Sequence, residues 1–262
     1  MNVAYFPGCT LKTNAKDLDD YARKSAEALD ITLEELENWQ CCGGVFTTSR
    51  DEVATKLSSV RALLDAQSKN QILVSVCSAC HNVIKQTNHA MQNDEEFASK
   101  VNNYLSETPY DGRTKVLHYL ELLRDVVGYD KVKEKVVKPL KGKKIAAYYG
   151  CLLLRPNNVM GMDDPENPTI IEDLIRALGG EPVVYPYRNE CCGGYIILEN
   201  PESAKSKCEK VISSAKNHEA DLIVTACPLC KYNLDKNNNG LPIVYITELL
   251  AEALGVKEDN NE

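Results

Sequence analysis

The feature that most constrains this chain is a repeat of cysteines. Adjacent cysteines followed by two glycines occur at Cys41-Cys42-Gly43-Gly44 and again, 150 residues on, at Cys191-Cys192-Gly193-Gly194. Each pair is preceded by a cysteine that follows a glycine, Gly8-Cys9 and Gly150-Cys151. Each is followed by a C-x-x-C, Cys77-Ser78-Ala79-Cys80 and Cys227-Pro228-Leu229-Cys230. The halves therefore read C-x31-CCG-x33-CxxC and C-x39-CCG-x33-CxxC, and ten of the eleven cysteines belong to them. Such a repeat predicts two similar folding units, an N-terminal domain of residues 1–140 and a C-terminal domain of residues 141–262. The stretch Lys138-Pro139-Leu140-Lys141-Gly142-Lys143, charged and holding both Pro and Gly, reads as the linker between them.

Composition narrows the functional classes. With 262 residues and 44% hydrophobic content, each half can bury a core without disulfide staples. No run of eighteen apolar residues is present, and Met1 to Phe6 enters a strand-like run at once, leaving no room for a signal peptide. The expected compartment is a reducing cytoplasm, where clustered thiols mark metal or redox sites more often than structural disulfides. The net charge of −8, scattered lysines and arginines, and aromatics at only 6% argue against a general nucleic-acid surface.

Along the chain, strand-like and helix-like patterns alternate. Val3 to Phe6, Ile72 to Val76, Val116 to Leu120, Lys144 to Tyr149, Pro182 to Tyr185, Leu222 to Ala226 and Leu241 to Ile246 are short apolar runs bounded by turns. Ile31 to Leu36 reads as a second strand or a turn. Helical spacing of apolar residues begins at Asp17 and recurs over Asp51–Ser68, His81–Met91, Glu121–Val137 (with a break at Gly128), Ile170–Leu178, Glu202–Asn217 and Thr247–Leu254. Asp164-Pro165-Glu166-Asn167-Pro168 caps the helix that starts near Ile170, and Lys257 to Glu262 is expected to fray. The pattern predicts an α/β fold of two similar repeated domains with mostly parallel sheets, related by an approximate two-fold axis. Cys9, Cys77, Cys151 and Cys227 fall at or just after carboxyl ends of strands, where open parallel sheets gather their functional groups.

Three readings compete for five thiols in each half. A disulfide scaffold sits poorly with an odd cysteine count and a cytoplasmic setting. A structural zinc site closes with four ligands and leaves the fifth unused. Iron–sulfur clusters take thiolates naturally, yet an ordinary cubane also needs only four. Either one cysteine is a spectator, or the cluster is not a simple cube and one thiolate bridges two irons. The adjacent pair favours the bridge, since neighbours in a regular strand point to opposite faces and a glycine-supported turn is needed to aim both at one group.

The arrangement resembles the CCG-domain family, and the whole length resembles the B-type subunits of heterodisulfide reductases. The resemblance rests on Cys9, Cys41, Cys42, Cys77, Cys80 and on Cys151, Cys191, Cys192, Cys227, Cys230. It implies that each set of five holds a non-cubane 4Fe–4S cluster and that a disulfide, such as coenzyme M–coenzyme B, is split between the two by single-electron transfers. The chain carries no C-x2-C-x2-C-x3-C-P run, no G-x-G-x-x-G after a strand and no P-loop. Its electrons are therefore expected from other subunits, which the resemblance identifies as a ferredoxin-like subunit fed by a flavin-containing one. The alternatives are an iron–sulfur relay in a quinone- or organic-acid-linked dehydrogenase, and a zinc-bound interaction module.

Individual residues carry lesser expectations. His81 follows Cys80, and its repeat counterpart is Lys231; each is a candidate proton or hydrogen-bond donor to a sulfur, against the plainer reading of two solvent-facing groups at helix starts. Lys12 and Arg155 lie three and four residues after the first cysteine of each half and are candidate contacts for anionic arms of a substrate, against the reading of two solvated charges. Cys208, on a helical stripe with Ala204, Val211, Ile212 and Ala215, reads as a small core residue. Tyr5, Tyr148 and Tyr149 are expected to pack in the core.

Overall fold

The computed structural model describes residues 1–44, 53–105, 108–238 and 240–257. Strand β1 (Asn2–Tyr5) pairs in parallel with β2 (Thr32–Glu35) on one side and β3 (Leu73–Ser75) on the other, and β3 pairs with β4 (Val116–His118). The second sheet repeats this with β5 (Lys144–Tyr148), β6 (Glu181–Val183), β7 (Leu222–Thr225) and β8 (Ile243–Tyr245). The strand orders are β2-β1-β3-β4 and β6-β5-β7-β8, all parallel. The expected pair of α/β repeats with parallel sheets is thus the observed fold, and Ile31–Leu36, ambiguous in the sequence, contains the edge strand β2.

Parallel strands need crossover connections, and helices supply them. In the first half these are α1 (Cys9–Thr13), α2 (Lys16–Ala28), α3 (Val53–Ser68), α4 (Ser78–Asn93), α5 (Glu95–Leu105), α6 (Tyr119–Glu121) and α7 (Tyr129–Glu134). The second half has α8 (Asn157–Met160), α9 (Ile170–Ala177), α10 (Pro201–Asn217), α11 (Pro228–Lys236) and α12 (Ile246–Ala253). The start of the expected Asp51–Ser68 helix and most of the expected frayed end, residues 258–262, lie outside the described residues. Between α6 and α7 the chain runs as a π-helical turn, Leu122–Val127, and Gly128 breaks it at φ 83°.

Local chemistry fixes several boundaries. Helix α9 buries Ile170, Ile171, Leu174 and Ile175 on one face. Its amino end is satisfied by Asp163 rather than by the Asp164–Pro168 run: Asp163 Oδ2 accepts from Thr169 N at 2.6 Å and Ile170 N at 2.8 Å. Helix α10 is capped by Asn200 Oδ1, which accepts from Ser203 N at 3.0 Å, with Pro201 in the first turn. The stretch read as a linker is tied into the body: Leu140 is buried, and its N–H donates to Leu178 O at 3.0 Å.

The apolar core runs through both halves, joining Val3, Tyr5, Val74 and Leu120 to Ile145, Ile171, Val224 and Leu250. Thr247 of α12 donates to Leu18 O of α2 at 3.0 Å across the repeat. No helix among the described residues is long and apolar enough to cross a membrane. In each sheet the winding direction reverses between the two central strands, β1/β3 and β5/β7. A crevice opens beyond strand carboxyl ends at such a reversal, and there the cysteines gather.

Candidate metal centres

Each site begins with a glycine that no other residue can replace without a clash. Gly8 follows β1 with φ +79°, and a Cβ built on it would stand 2.8 Å from Cys80 Sγ. Gly150, its repeat partner after β5, has φ +65° and would place a Cβ 3.1 Å from Cys230 Sγ. The bare backbone therefore lies against the last cysteine of the C-x-x-C and delivers Cys9 or Cys151 beside it. Cys77 and Cys227 hold extended backbone at the amino ends of α4 and α11. A turn thereby brings Cys80 and Cys230 back toward the first cysteine of each set.

The adjacent pairs complete the two groups. Cys41 Sγ lies 3.5 Å from Cys9 Sγ, and Cys42 Sγ lies 3.3 Å from Cys80 Sγ. In the second half Cys192 Sγ lies 3.4 Å from Cys230 Sγ, and Cys151 and Cys191 share a hydrogen bond. The two faces of each pair are turned inward by local bonds: Gly43 N and Gly44 N donate to Cys41 Sγ and Cys42 Sγ at 3.4 Å each, and Gly193 N donates to Cys191 Sγ at 3.3 Å. Such contacts move the thiols' proton affinities apart. Hydrogen bonds from Cys41 and Cys80 hold Cys42 down at about 3, and those from Cys151 and Cys192 hold Cys191 at about 2. All eleven cysteines are free thiols; Cys9 and Cys41 are exposed, Cys151 and Cys191 half-buried, and the other six of the ten buried.

The donor set is purely sulfur, which suits iron–sulfur chemistry. The sulfurs touch in pairs, and among the described residues no three Cys, His, Asp or Glu side chains converge as the ligands of one metal ion. A polynuclear group that separates these pairs fits five thiols better than a mononuclear ion bound by four.

The two sites are neighbours. Ser78, just after Cys77, donates through Oγ to Ala226 O at 2.7 Å, and Ala226 precedes Cys227. The Tyr245 hydroxyl lies 2.6 Å from Val76 O and 2.9 Å from Ala226 O, sharing its single proton between the carbonyls that precede Cys77 and Cys227. Asn82 of α4 donates to Leu152 O and Arg155 O at 2.8 Å each, tying the first C-x-x-C helix to the loop after Cys151.

The other sequence candidates fall in distinct places. His81 is fully buried, so the solvent-facing alternative does not hold for it; Nε2 lies 3.3 Å from Glu121 Oε2, off hydrogen-bonding alignment, and neither ring nitrogen has a hydrogen-bond partner. Burial pushes Glu121 up, but His81, Lys85 and the His118 N–H outweigh it and hold the carboxyl at about 2. Lys231 is turned to Asp235 Oδ2 at 2.8 Å and Ile243 O at 2.9 Å. Lys12 pairs with Glu35 at 2.9 Å, and Arg155 pairs with Glu166 at 2.9 Å while reaching Asn189 O and Pro165 O at 3.3 Å each. Cys208 is buried and donates to Cys192 O at 3.3 Å, and burial pushes its thiol up to about 11. Tyr5, Tyr148 and Tyr149 are buried, their hydroxyls spent on Asp19, Glu190 O and Glu172.

The model of the CCG cysteine-rich domain matches residues 3–85 and 145–235, one copy over each site. The chain belongs to the CCG cysteine-rich domain family. It is 32% identical to the 8-methylmenaquinol:fumarate reductase membrane anchor subunit of Wolinella succinogenes, over 97% of this chain and 92% of that one. It is also 32% identical to a protein of Archaeoglobus profundus that is named as like the B-type heterodisulfide reductase subunits, over 95% of this chain and 89% of that protein. The B-type subunit of the ferredoxin/F420H2-dependent CoB-CoM heterodisulfide reductase of Methanosarcina acetivorans is 26% identical, with coverage of 98% and 90%. A solved structure of a hypothetical protein from Helicobacter pylori shares the fold, with a TM-score of 0.76 at 13% identity. That match covers 98% of this chain but only about half, 49%, of the solved chain.

Membership of the CCG family accounts for the cysteines but not for the supports that sequence reasoning missed. His118-Tyr119-Leu120-Glu121-Leu122-Leu123 and Tyr245-Ile246-Thr247-Glu248-Leu249-Leu250 occupy the same place in the two repeats, and both form capping boxes after the last strand. The signal was present as the shared E-L-L after an aromatic ring. It carries no cysteine, and an alignment anchored on cysteines passes over it.

Proposed function

We propose that this chain is the catalytic iron–sulfur subunit of a heterodisulfide reductase-like complex. Cys9, Cys41, Cys42, Cys77 and Cys80 would hold one non-cubane 4Fe–4S cluster, and Cys151, Cys191, Cys192, Cys227 and Cys230 the other. The observation that carries the reading is the pairing of two equivalent five-thiol groups, cross-bonded through Ser78, Ala226 and Tyr245. Bound clusters supply single electrons, and a disulfide needs two. The residues of the chain fix the two thiol groups side by side at the strand ends and keep six of the ten sulfurs away from water. A ferredoxin-like subunit and a flavin-containing subunit would deliver the electrons. That fits relatives named as subunits of reductases.

The deciding experiment prepares the protein without oxygen, measures iron and acid-labile sulfide, and assays disulfide cleavage with a reduced dye. About eight irons per chain with disulfide turnover supports the reading; stoichiometric zinc without sulfide removes it. A second reading is favoured by the Wolinella relative, which is as similar as the Archaeoglobus protein and is named for a menaquinol:fumarate reductase. In it the two sites relay electrons between a quinol and an organic acid. Two clusters with no disulfide turnover, together with fumarate-dependent oxidation of the dye in the reconstituted complex, selects that reading.

A further inference from the structure

Between the two cysteine groups lies a narrow slot. It is walled by Leu152, Leu229 and the rings of Tyr149 and Tyr195, with Ser78 on the side of the first half and sulfurs of the second group as its floor. Apart from those thiols, no charged side chain is among the described residues that line it. The cations near the sites stand elsewhere and are already paired, Lys12 with Glu35 and Arg155 with Glu166.

Tyr195 is the polar exception at the mouth. It is 37% exposed, and its hydroxyl makes no hydrogen bond with the described residues. Burial, then the thiols of Cys227, Cys151, Cys230 and Cys77, raise its proton affinity, so the phenolic oxygen lies near sulfurs of both groups. Its position is set by the backbone. Gly194 packs so closely on Leu229 that a Cβ would stand 2.8 Å from Leu229 Cγ, and Ile196 N closes a turn onto Gly193 O at 3.0 Å. The matching residue of the first repeat is Val45, which has no hydroxyl. An unspent donor over a charge-free slot is a place for a soft acceptor on an uncharged carbon chain.

We infer that the second cysteine group takes a thiol or disulfide end on a short uncharged chain through this slot, and that Tyr195 positions its sulfur by a hydrogen bond from the phenol. The inference rests on the disulfide-reducing reading and names the subsite within it.

The test uses the full-length, iron-loaded protein under anaerobic conditions. Binding of 2-mercaptoethanol and of 3-mercaptopropionate is followed through the visible and electron-paramagnetic spectra. The wild type is expected to bind the uncharged thiol more tightly than the carboxylate. Tyr195→Phe is expected to keep its iron and weaken 2-mercaptoethanol binding by about tenfold, the effect of losing a hydrogen bond to a charged sulfur. Equal affinity in wild type and Tyr195→Phe overturns the role of the hydroxyl while leaving the disulfide-reducing reading intact. Preference for 3-mercaptopropionate overturns the uncharged subsite. Loss of iron in Tyr195→Phe makes the phenol a support of the cluster and also overturns the inference. No thiol binding by the wild type removes the disulfide-reducing reading and this inference together.

Discussion

Replacing Gly8 with alanine tests the geometry of the first site at a single atom. Gly8 holds φ 79° and ψ 159°, a region that residues with a Cβ occupy only under strain, at a cost of about 1–3 kcal/mol. The new methyl would also stand 2.8 Å from Cys80 Sγ, a separation real Cβ atoms do not keep. Moving a buried sulfur or the backbone to relieve it costs about 1–3 kcal/mol more. The expected loss for Gly8→Ala is therefore about 2–6 kcal/mol, with iron lost selectively from the first site. Gly150→Ala is the internal comparison, because its Cβ would meet Cys230 Sγ at 3.1 Å and a small shift relieves it. Gly142→Ala is the control for strain alone, with φ +75° and nothing within 4 Å. Anaerobic urea unfolding of the three variants, with iron and sulfide counted in each, should rank the losses Gly8, then Gly150, then Gly142. Gly8→Ala with wild-type stability and full iron would refute the contact between the glycine and the sulfur.

Cys208→Ala should retain all iron and lose on the order of 1 kcal/mol, since its thiol spends its proton on the Cys192 carbonyl; loss of iron would make it a ligand. Arg188→Ala should lose about 3–5 kcal/mol in unfolding, because it strands the buried Glu172 carboxylate now held at 2.6 Å. His118 is held neutral, first by burial and then by His81, down to about 3 from the usual 6.5. The unfolded chain therefore binds the extra proton, and the stability this residue contributes is full above pH 6.5 and falls as pH drops toward 3, by about 1.4 kcal/mol per unit. Unfolding of wild type and His118→Asn at pH 7, 6 and 5 should show a shallower slope in the variant; equal slopes would rule out a neutral buried imidazole.

Most of the fold was legible because each signal was local and repeated. The apolar runs ending at Tyr5, Ser75, Tyr148 and Thr225 are short, turn-bounded and followed by cysteine at matched spacing, so the strand carboxyl ends could be read directly. What could not be read depended on partners far away in sequence. His81 looks like a helix-start residue facing solvent, yet α4 packs so that Glu121, forty residues on, closes over it. Arg155 and Lys12 look like free cations because Glu166 and Glu35 have no sequence pattern linking them. Tyr195 was passed over since a lone tyrosine after two glycines carries no periodicity, and only the position of Leu229 shows where its ring goes.

The repeat explains why there are two sites, and its departures from symmetry explain why they act as one. At the same position of each half a ring stands at the amino end of the helix after the last strand. In the first half it is His118, whose Nδ1 accepts from Leu120 N at 3.2 Å, so the proton resides on Nε2, 3.2 Å from Val76 O. That bond stays within its own half. In the second half it is Tyr245, and the longer phenol reaches past its own strand end to the same Val76 carbonyl while still touching Ala226 O. Two residues in equivalent places thus converge on one peptide, the one that carries Cys77. A pair of identical units would have satisfied each carbonyl locally and left the sites free to drift apart. Exchanging an imidazole for a phenol at one of two equivalent positions is the change that binds the second cysteine group to the first.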